Sequence, residues 1–292
     1  MMVTTQDPQS EAPRLRKRMV KSPVGWLVWA AVAFFFVNLL GIIATVVANS
    51  FSTQWFDTWL PTGWTTKYYV TAWHDYQLSD VLVVTMQVAL TVVLVSLLIG
   101  APTAYVLARR DFPGKKALML CFLLPIMVPP ITYGIPLATV LYKLHLGGTL
   151  SGVLIANMVP AVPFVILVLT PFIEQIDPNI EAAARMCGAR TWQVFVRILS
   201  PLIIPGLLAA ALLVLVQTVA LFELTFLLSG PGTETLVVTL YYAVFASGIR
   251  PSQAISAMAV IYMFTTLLVL VVALRYVSPT QMVTQVRSTN DD

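Results

Sequence analysis

This sequence predicts an all-α membrane protein with six transmembrane helices, and three observations carry that reading. The 292 residues are 58% hydrophobic and only 10% charged, with a mean hydropathy of +0.85. A soluble domain has about a quarter of its residues charged. The charges stand in short clusters separated by apolar runs of about twenty residues or more. A run of that length crosses a hydrocarbon core about 30 Å thick, since a helix rises about 1.5 Å per residue. Finally, Lys and Arg are strongly biased to alternate connections.

The helices are expected at roughly 24–48, 81–107, 117–141, 152–173, 201–228 and 253–274. A basic tail, 1–23, precedes the first, and its apolar run is too long for the h-region of a cleaved signal peptide. Residues 24–79 combine that helix with an external segment rich in aromatics (Trp55, Trp59, Trp64, Tyr68, Tyr69 and Trp73), suited to an interfacial anchor. Residues 80–274 form the core, interrupted by a short basic connection at 108–116 and a long polar one at 174–200. Residues 275–292 form the second tail. The tails and these two connections hold 14 of the 17 basic residues; only Lys67, Lys143 and Arg250 lie on the other side. Both termini are therefore expected in the cytoplasm.

The net charge of +4 is explained by this topology, and nucleic acid is not a partner that it implies. Cys121 and Cys187 are too few and too far apart for a disulfide framework. His74 and His145 are solitary, with no metal-ligand spacing around them. No G-x-x-x-x-G-K-[ST] stretch is present, so a P-loop in this chain does not energise transport. A membrane enzyme would need a nucleophile, metal or acid–base cluster, and the sequence offers none. A self-sufficient secondary transporter is disfavoured by scarce intramembrane charge and by the absence of a visible inverted repeat.

The most informative stretch runs from Asp177 to Pro201. Asp177-Pro178 suits a helix start. Residues 181–186 (EAAARM) are mostly strong helix formers, and Gly188 permits a stop and a turn before a second short helix at about 191–199. The small side chains of the first helix leave a face that another protein can approach closely. The alternative is a plain connecting loop.

This segment resembles the EAA loop of binding-protein-dependent ABC permeases, E-A-A, three residues, G, nine residues, I-x-L-P. Anchored on Gly188, the pattern places its later elements on Ile198 and Pro201. The glutamate slot is Ala182, with Glu181 one residue earlier, and the leucine slot is Ser200. The resemblance covers about residues 80–280 and is closest to the spermidine/putrescine-type branch, through Pro125, Pro129, Pro130, Gly134 and the stretch from Thr225 to Gly232. It implies a type I, MetI-like bundle. It also implies a coupling helix using Glu181, Ala182, Ala183, Arg185, Gly188 and Ala189 to meet an ATPase subunit. The implied partners are a second permease subunit, as a heterodimer or less expectedly a homodimer, two ATPase subunits and a periplasmic binding protein. ATP and magnesium would be bound by the ATPases, with no cofactor in this chain. The solute implied first is a polyamine or related organic cation; an opine, sugar or phosphonate is the alternative.

Physical reasoning points to the same core for a translocation path. Prolines 125, 129, 130 and 136 in the third helix and Pro160 and Pro163 in the fourth free backbone carbonyls at membrane depth. Such carbonyls are tolerated against protein or a water-filled cavity. Glu223 is the only acid expected well inside a span, which argues for an inward-facing position. With Pro129 and Tyr133 of the third helix, Asn157 of the fourth and Thr225 nearby, it makes up the candidate path. The alternative for each proline is a packing kink, and for Glu223 a buried structural acid.

The charge bias sets a direct test of orientation. Cysteines introduced at Gln193 and Lys115 are expected to label only from the cytoplasm, and one at Thr62 only from outside. Periplasmic labelling at Gln193 overturns the topology.

Overall fold

The structure, a computed structural model, describes residues 23–55, 58–245 and 251–276. Both expected tails, apart from Pro23, Arg275 and Tyr276, lie outside these residues, as does Arg250. The described chain is helical, with one isolated bridge between Ser52 and Trp64. In order come α1 (Pro23–Ser50), α2 (Lys67–Asp75), α3 (Leu78–Arg109), α4 (Lys115–Met127) and α5 (Pro130–Lys143). Then follow α6 (Leu150–Glu174), α7 (Pro178–Met186) and α8 (Thr191–Ala220). The last are α9 (Glu223–Leu228), α10 (Leu236–Phe245) and α11 (Ser252–Tyr276). Helices α1, α3, α6, α8 and α11 are long and apolar enough to cross a membrane, and α4 with α5 supplies a sixth crossing if the pair acts as one bent span.

That pair corrects one expectation. The third helix, expected as a single kinked span over 117–141, is broken into α4 and α5 with a bend of 97°. Proline at 129 and 130 forces Val128 into an extended conformation, with ψ at 132°, because the residue before a proline is disfavoured in the α region. Each half rises only about 20 Å, short of the hydrocarbon thickness. The fifth helix, expected over 201–228, is also redrawn: it begins at Thr191, ends at Ala220, and is separated from α9 by an extended Leu221. Glu223 therefore opens a separate short helix rather than sitting inside a span. Helices α2 and α10 fall in segments that the sequence reading left without helix.

The second short helix expected at about 191–199 is continuous with α8 through a π stretch, Val194–Leu199. A wider turn with i→i+5 bonding suits this sequence. Val194 and Leu199, five residues apart, are both fully buried, and Ile203 follows four residues later at 1% exposure. Regular α geometry would carry Val194 and Leu199 to different faces.

The core forms where α3 and α6 pack on each other, with α8 against both. Its buried residues include Val88, Val92 and Ala104 of α3, Val165 and Leu169 of α6, and Val214 of α8. Gly100 marks the closest approach of α3 and α6: a Cβ there would lie under 3 Å from Val165. Helix α5 packs on α9, and Gly134 is similarly tight against Leu224 and Leu227. By contrast α1 lies outside this core, against α11, with Asn49 Nδ2 donating to Ser256 Oγ at 2.8 Å.

Gly100→Leu is expected to separate α3 from α6 at a cost of about 1–3 kcal/mol, read as a lower unfolding midpoint in detergent. Gly41→Ala on α1, where a Cβ meets nothing within 4 Å, should leave the midpoint unchanged or raise it.

Candidate functional site

The 177–200 segment is built as its residues dictate. Asp177 caps α7, its Oδ1 accepting from the Asn179 amide at 2.9 Å, and Pro178 fills the first turn. At the other end Gly188 has φ of +84°. The Gly188 amide donates to Arg185 O at 2.9 Å and the Ala189 amide to Ala184 O at 3.1 Å, the two bonds of a Schellman stop. A Cβ on Gly188 would meet nothing within 4 Å, so backbone conformation alone selects glycine here.

The exposed side of this segment carries no acid of α7. Ala182, Ala183, Cys187 and Gly188 are exposed, together with the large apolar side chains of Ile180, Met186 (84% exposed) and Trp192 (58% exposed). Large apolar side chains exposed on one short segment are the kind of surface that suits contact with another protein. Arg185 lies at the edge and Ala189 is half-buried. Glu181 departs from the expected role. It is 2% exposed and turned into the protein, where Arg109 Nε donates to its Oε1 at 2.6 Å, and Tyr105 Oη and Arg185 Nη2 donate to its Oε2 at 2.9 and 3.1 Å. Tyr105 and Arg109 were not singled out from the sequence; Arg109 stood there only as one basic residue in a topology count. The available signal was their spacing of four, which puts a phenol and a guanidinium on one face at the end of an apolar helix.

The residues of the expected path come together in part. Asn157 of α6 donates through Nδ2 to Val153 O at 2.9 Å and to Thr225 Oγ1 of α9 at 3.1 Å, and both side chains are buried. Asn157 Oδ1 and Tyr133 Oη are among the buried polar atoms with no hydrogen-bond partner. Helix α5, which carries Tyr133, packs on α9, which begins at Glu223, with Gly134 tight against Leu224 and Leu227. Glu223 is half-buried, while Pro129, at the α4–α5 break, is exposed. Asn157 and Thr225 thus form an interhelical junction, with Glu223 two residues earlier on α9 and Tyr133 on the helix packed against α9.

A profile of the family described as "Binding-protein-dependent transport system inner membrane component" matches residues 96–282. The chain belongs to that family. It is a multi-pass permease of the bacterial inner membrane, of the ABC-importer type, and the matched region holds every candidate residue above. The permease is 34% identical over 138 residues to the trehalose transport system permease protein SugB of Mycobacterium tuberculosis (strain CDC 1551 / Oshkosh), a match covering 47% of this chain and 50% of that protein. The permease thus spans about half the length of that relative. It is 32% identical over 177 residues to the putative molybdenum transport system permease protein YvgM of Bacillus subtilis (strain 168), covering 55% of this chain and 78% of the other. In fold it is similar to a chain of a bacterial ABC transporter involved in import of the acidic polysaccharide alginate, with a TM-score of 0.72, 19% identity, and coverage of 94% of this chain and 99% of that one. It is also similar to a chain of the MetNI methionine ABC transporter in inward-facing form, with a TM-score of 0.54, 19% identity and coverage of 66% and 91%.

Because its φ is positive but its surroundings are open, Gly188→Val should strain the turn by about 1–2 kcal/mol, whereas Gly188→Asn should stay close to wild type. Amide exchange over residues 178–189 distinguishes them: faster in the valine variant, near-native in the asparagine one.

Proposed function

We propose that this permease pairs with a second, similar but non-identical subunit to form a pathway, receives its solute from a periplasmic binding protein, and is driven by two ATPase subunits. The carrying observation is the 177–200 segment: a capped helix turned by Gly188, with an uncharged face of Ala182, Ala183, Met186 and Trp192 offered outward. On the topology that the basic residues favour, this face lies in the cytoplasm, where an ATPase cleft would receive it. Closure of the paired ATPases around ATP would draw the two such helices together and rock the attached spans from inward- to outward-facing.

For the solute, the reading is a polyamine or related organic cation. Glu223 at the α8–α9 break, on the helix that packs against α5, is the support within this chain, since an acid on a path favours a cation over an oxyanion. The relatives named above, for trehalose and molybdenum, keep a sugar or an anion as the alternative.

Co-purification with an ATPase whose ATP hydrolysis rises on adding the loaded binding protein is the expected result. Ala183→Asp should abolish that association, because a desolvated unpaired charge in a protein cleft costs several kcal/mol. Glu223→Gln should lower spermidine uptake without releasing the ATPase. Uptake by this chain reconstituted with no ATPase would rule the mechanism out. Uptake of trehalose or molybdate, but not spermidine, by the full complex would overturn the solute alone.

A further inference from the structure

Glu181 lies on the helix proposed to meet the ATPase, yet its side chain is only 3% exposed. A carboxylate so buried is stable when partners replace its hydration. Here both oxygens are engaged: Arg109 Nε on one at 2.6 Å, Tyr105 Oη and Arg185 Nη2 on the other at 2.9 and 3.1 Å. Arg109 is itself held, its Nη2 donating to Ile176 O in the α6–α7 connection at 2.8 Å, with the side chain 12% exposed. Arg185 Nη2 also lies 3.2 Å from Tyr105 Oη. The Tyr105 ring rests on Phe195 of the π stretch at a centroid distance of 5.4 Å.

Two parts of the chain therefore meet at the carboxylate itself, the end of α3 and α7, and the side chains from α3 reach two more: Arg109 the α6–α7 connection and Tyr105 the start of α8. Arg185 differs from the other partners, since it is on α7 itself, four residues from Glu181, and half-exposed. The bonds to Tyr105 and Arg109 are the ones that cross between elements.

We infer that Glu181 is a positioning residue that fastens α7 to the end of α3 through Arg109 and Tyr105, and is not a contact to the ATPase. Displacement of α7 is then carried into α3. From there the tight packing of Gly100 on Val165 delivers it to α6, whose Asn157 is bonded to Thr225 on α9. The outward contact falls to the uncharged residues of α7 and its turn. This assignment rests on the reading of α7 as a coupling helix; what it adds is the direction in which Glu181 works.

The test uses the assembled complex carrying Glu181→Gln, Arg109→Gln or both. Each single variant is expected to keep its ATPase subunits and to lose about tenfold of the stimulation of hydrolysis by the loaded binding protein, the scale on which residues of a coupling network act. The double variant should be no worse than either single one, because it leaves no buried charge unpaired and the two side chains act as a unit. Tyr105→Phe, which keeps the ring and removes one bond, should show a smaller fall, and it is the variant to read if the charge changes block insertion. Loss of the ATPase from Glu181→Gln but not from Arg109→Gln would make Glu181 a direct contact and overturn the inference. Losses that multiply in the double variant, or undiminished stimulation in Tyr105→Phe together with either Gln variant, also overturn it. Failure of the unaltered chain to bind an ATPase is a different result and sinks the coupling-helix reading itself.

Discussion

The contact between α3 and α6 is the constraint from which the rest of this bundle follows. Glycine at 100 lets these two core helices approach until the Val165 side chain occupies the space of the missing Cβ. Helix α8 packs on both, α10 and α2 on α3, and α9 on α6. The hydroxyl of Thr85, in the first turns of α3, accepts from the Leu236 amide at 2.9 Å and anchors α10. At its other end α3 supplies Tyr105 and Arg109 to α7. One helix thus holds elements at both ends of the bundle, and close packing makes it behave as a unit rather than a flexible strut.

Around that unit the prolines divide into two kinds. Pro160 and Pro163 are accommodated within an unbroken α6, both of them buried in the bundle, a setting in which freed carbonyls are tolerated. Pro129 and Pro130 are adjacent, and two missing donors together with a forced extended residue before them end α4 outright. The break at Leu221–Phe222 contains no proline; there the chain turns so that Leu224 and Leu228 both reach the core. Six prolines read as a single class of kink therefore hid one true break, and a second break left no compositional trace.

The spans were legible because hydrocarbon imposes a length and a composition on each of them, and the α7 segment was legible because caps and turns are local: Asp177, Pro178 and Gly188 do in space what their residue types allow. The inward turn of Glu181 was not. Its orientation depends on Tyr105 and Arg109, more than seventy residues away, and no local pattern announces a bond across that separation. The same holds for Asn157 and Thr225, which were each candidates from the sequence but became a pair only in three dimensions. The π stretch was invisible for a different reason. The spacing of five between Val194 and Leu199 conflicts with a 3.6-residue period, and such a conflict reads as irregularity until the wider turn is seen.

Helix α1 has a consequence of another sort. Over Gly25–Ser50 no residue in its most apolar window is buried within the chain, and Trp26, Phe34, Phe35 and Leu40 are all largely exposed. Within this chain its one substantial contact is with α11, so its own side chains do not interlock with the core. At 28 residues it is about 42 Å long, beyond the thickness of the hydrocarbon, an excess that tilting or emergence at one surface would accommodate. Its sequence is thus constrained in length and polarity more than in identity: apolar exchanges along it should drift freely, while insertions and deletions would change how the whole protein sits in a membrane of given thickness.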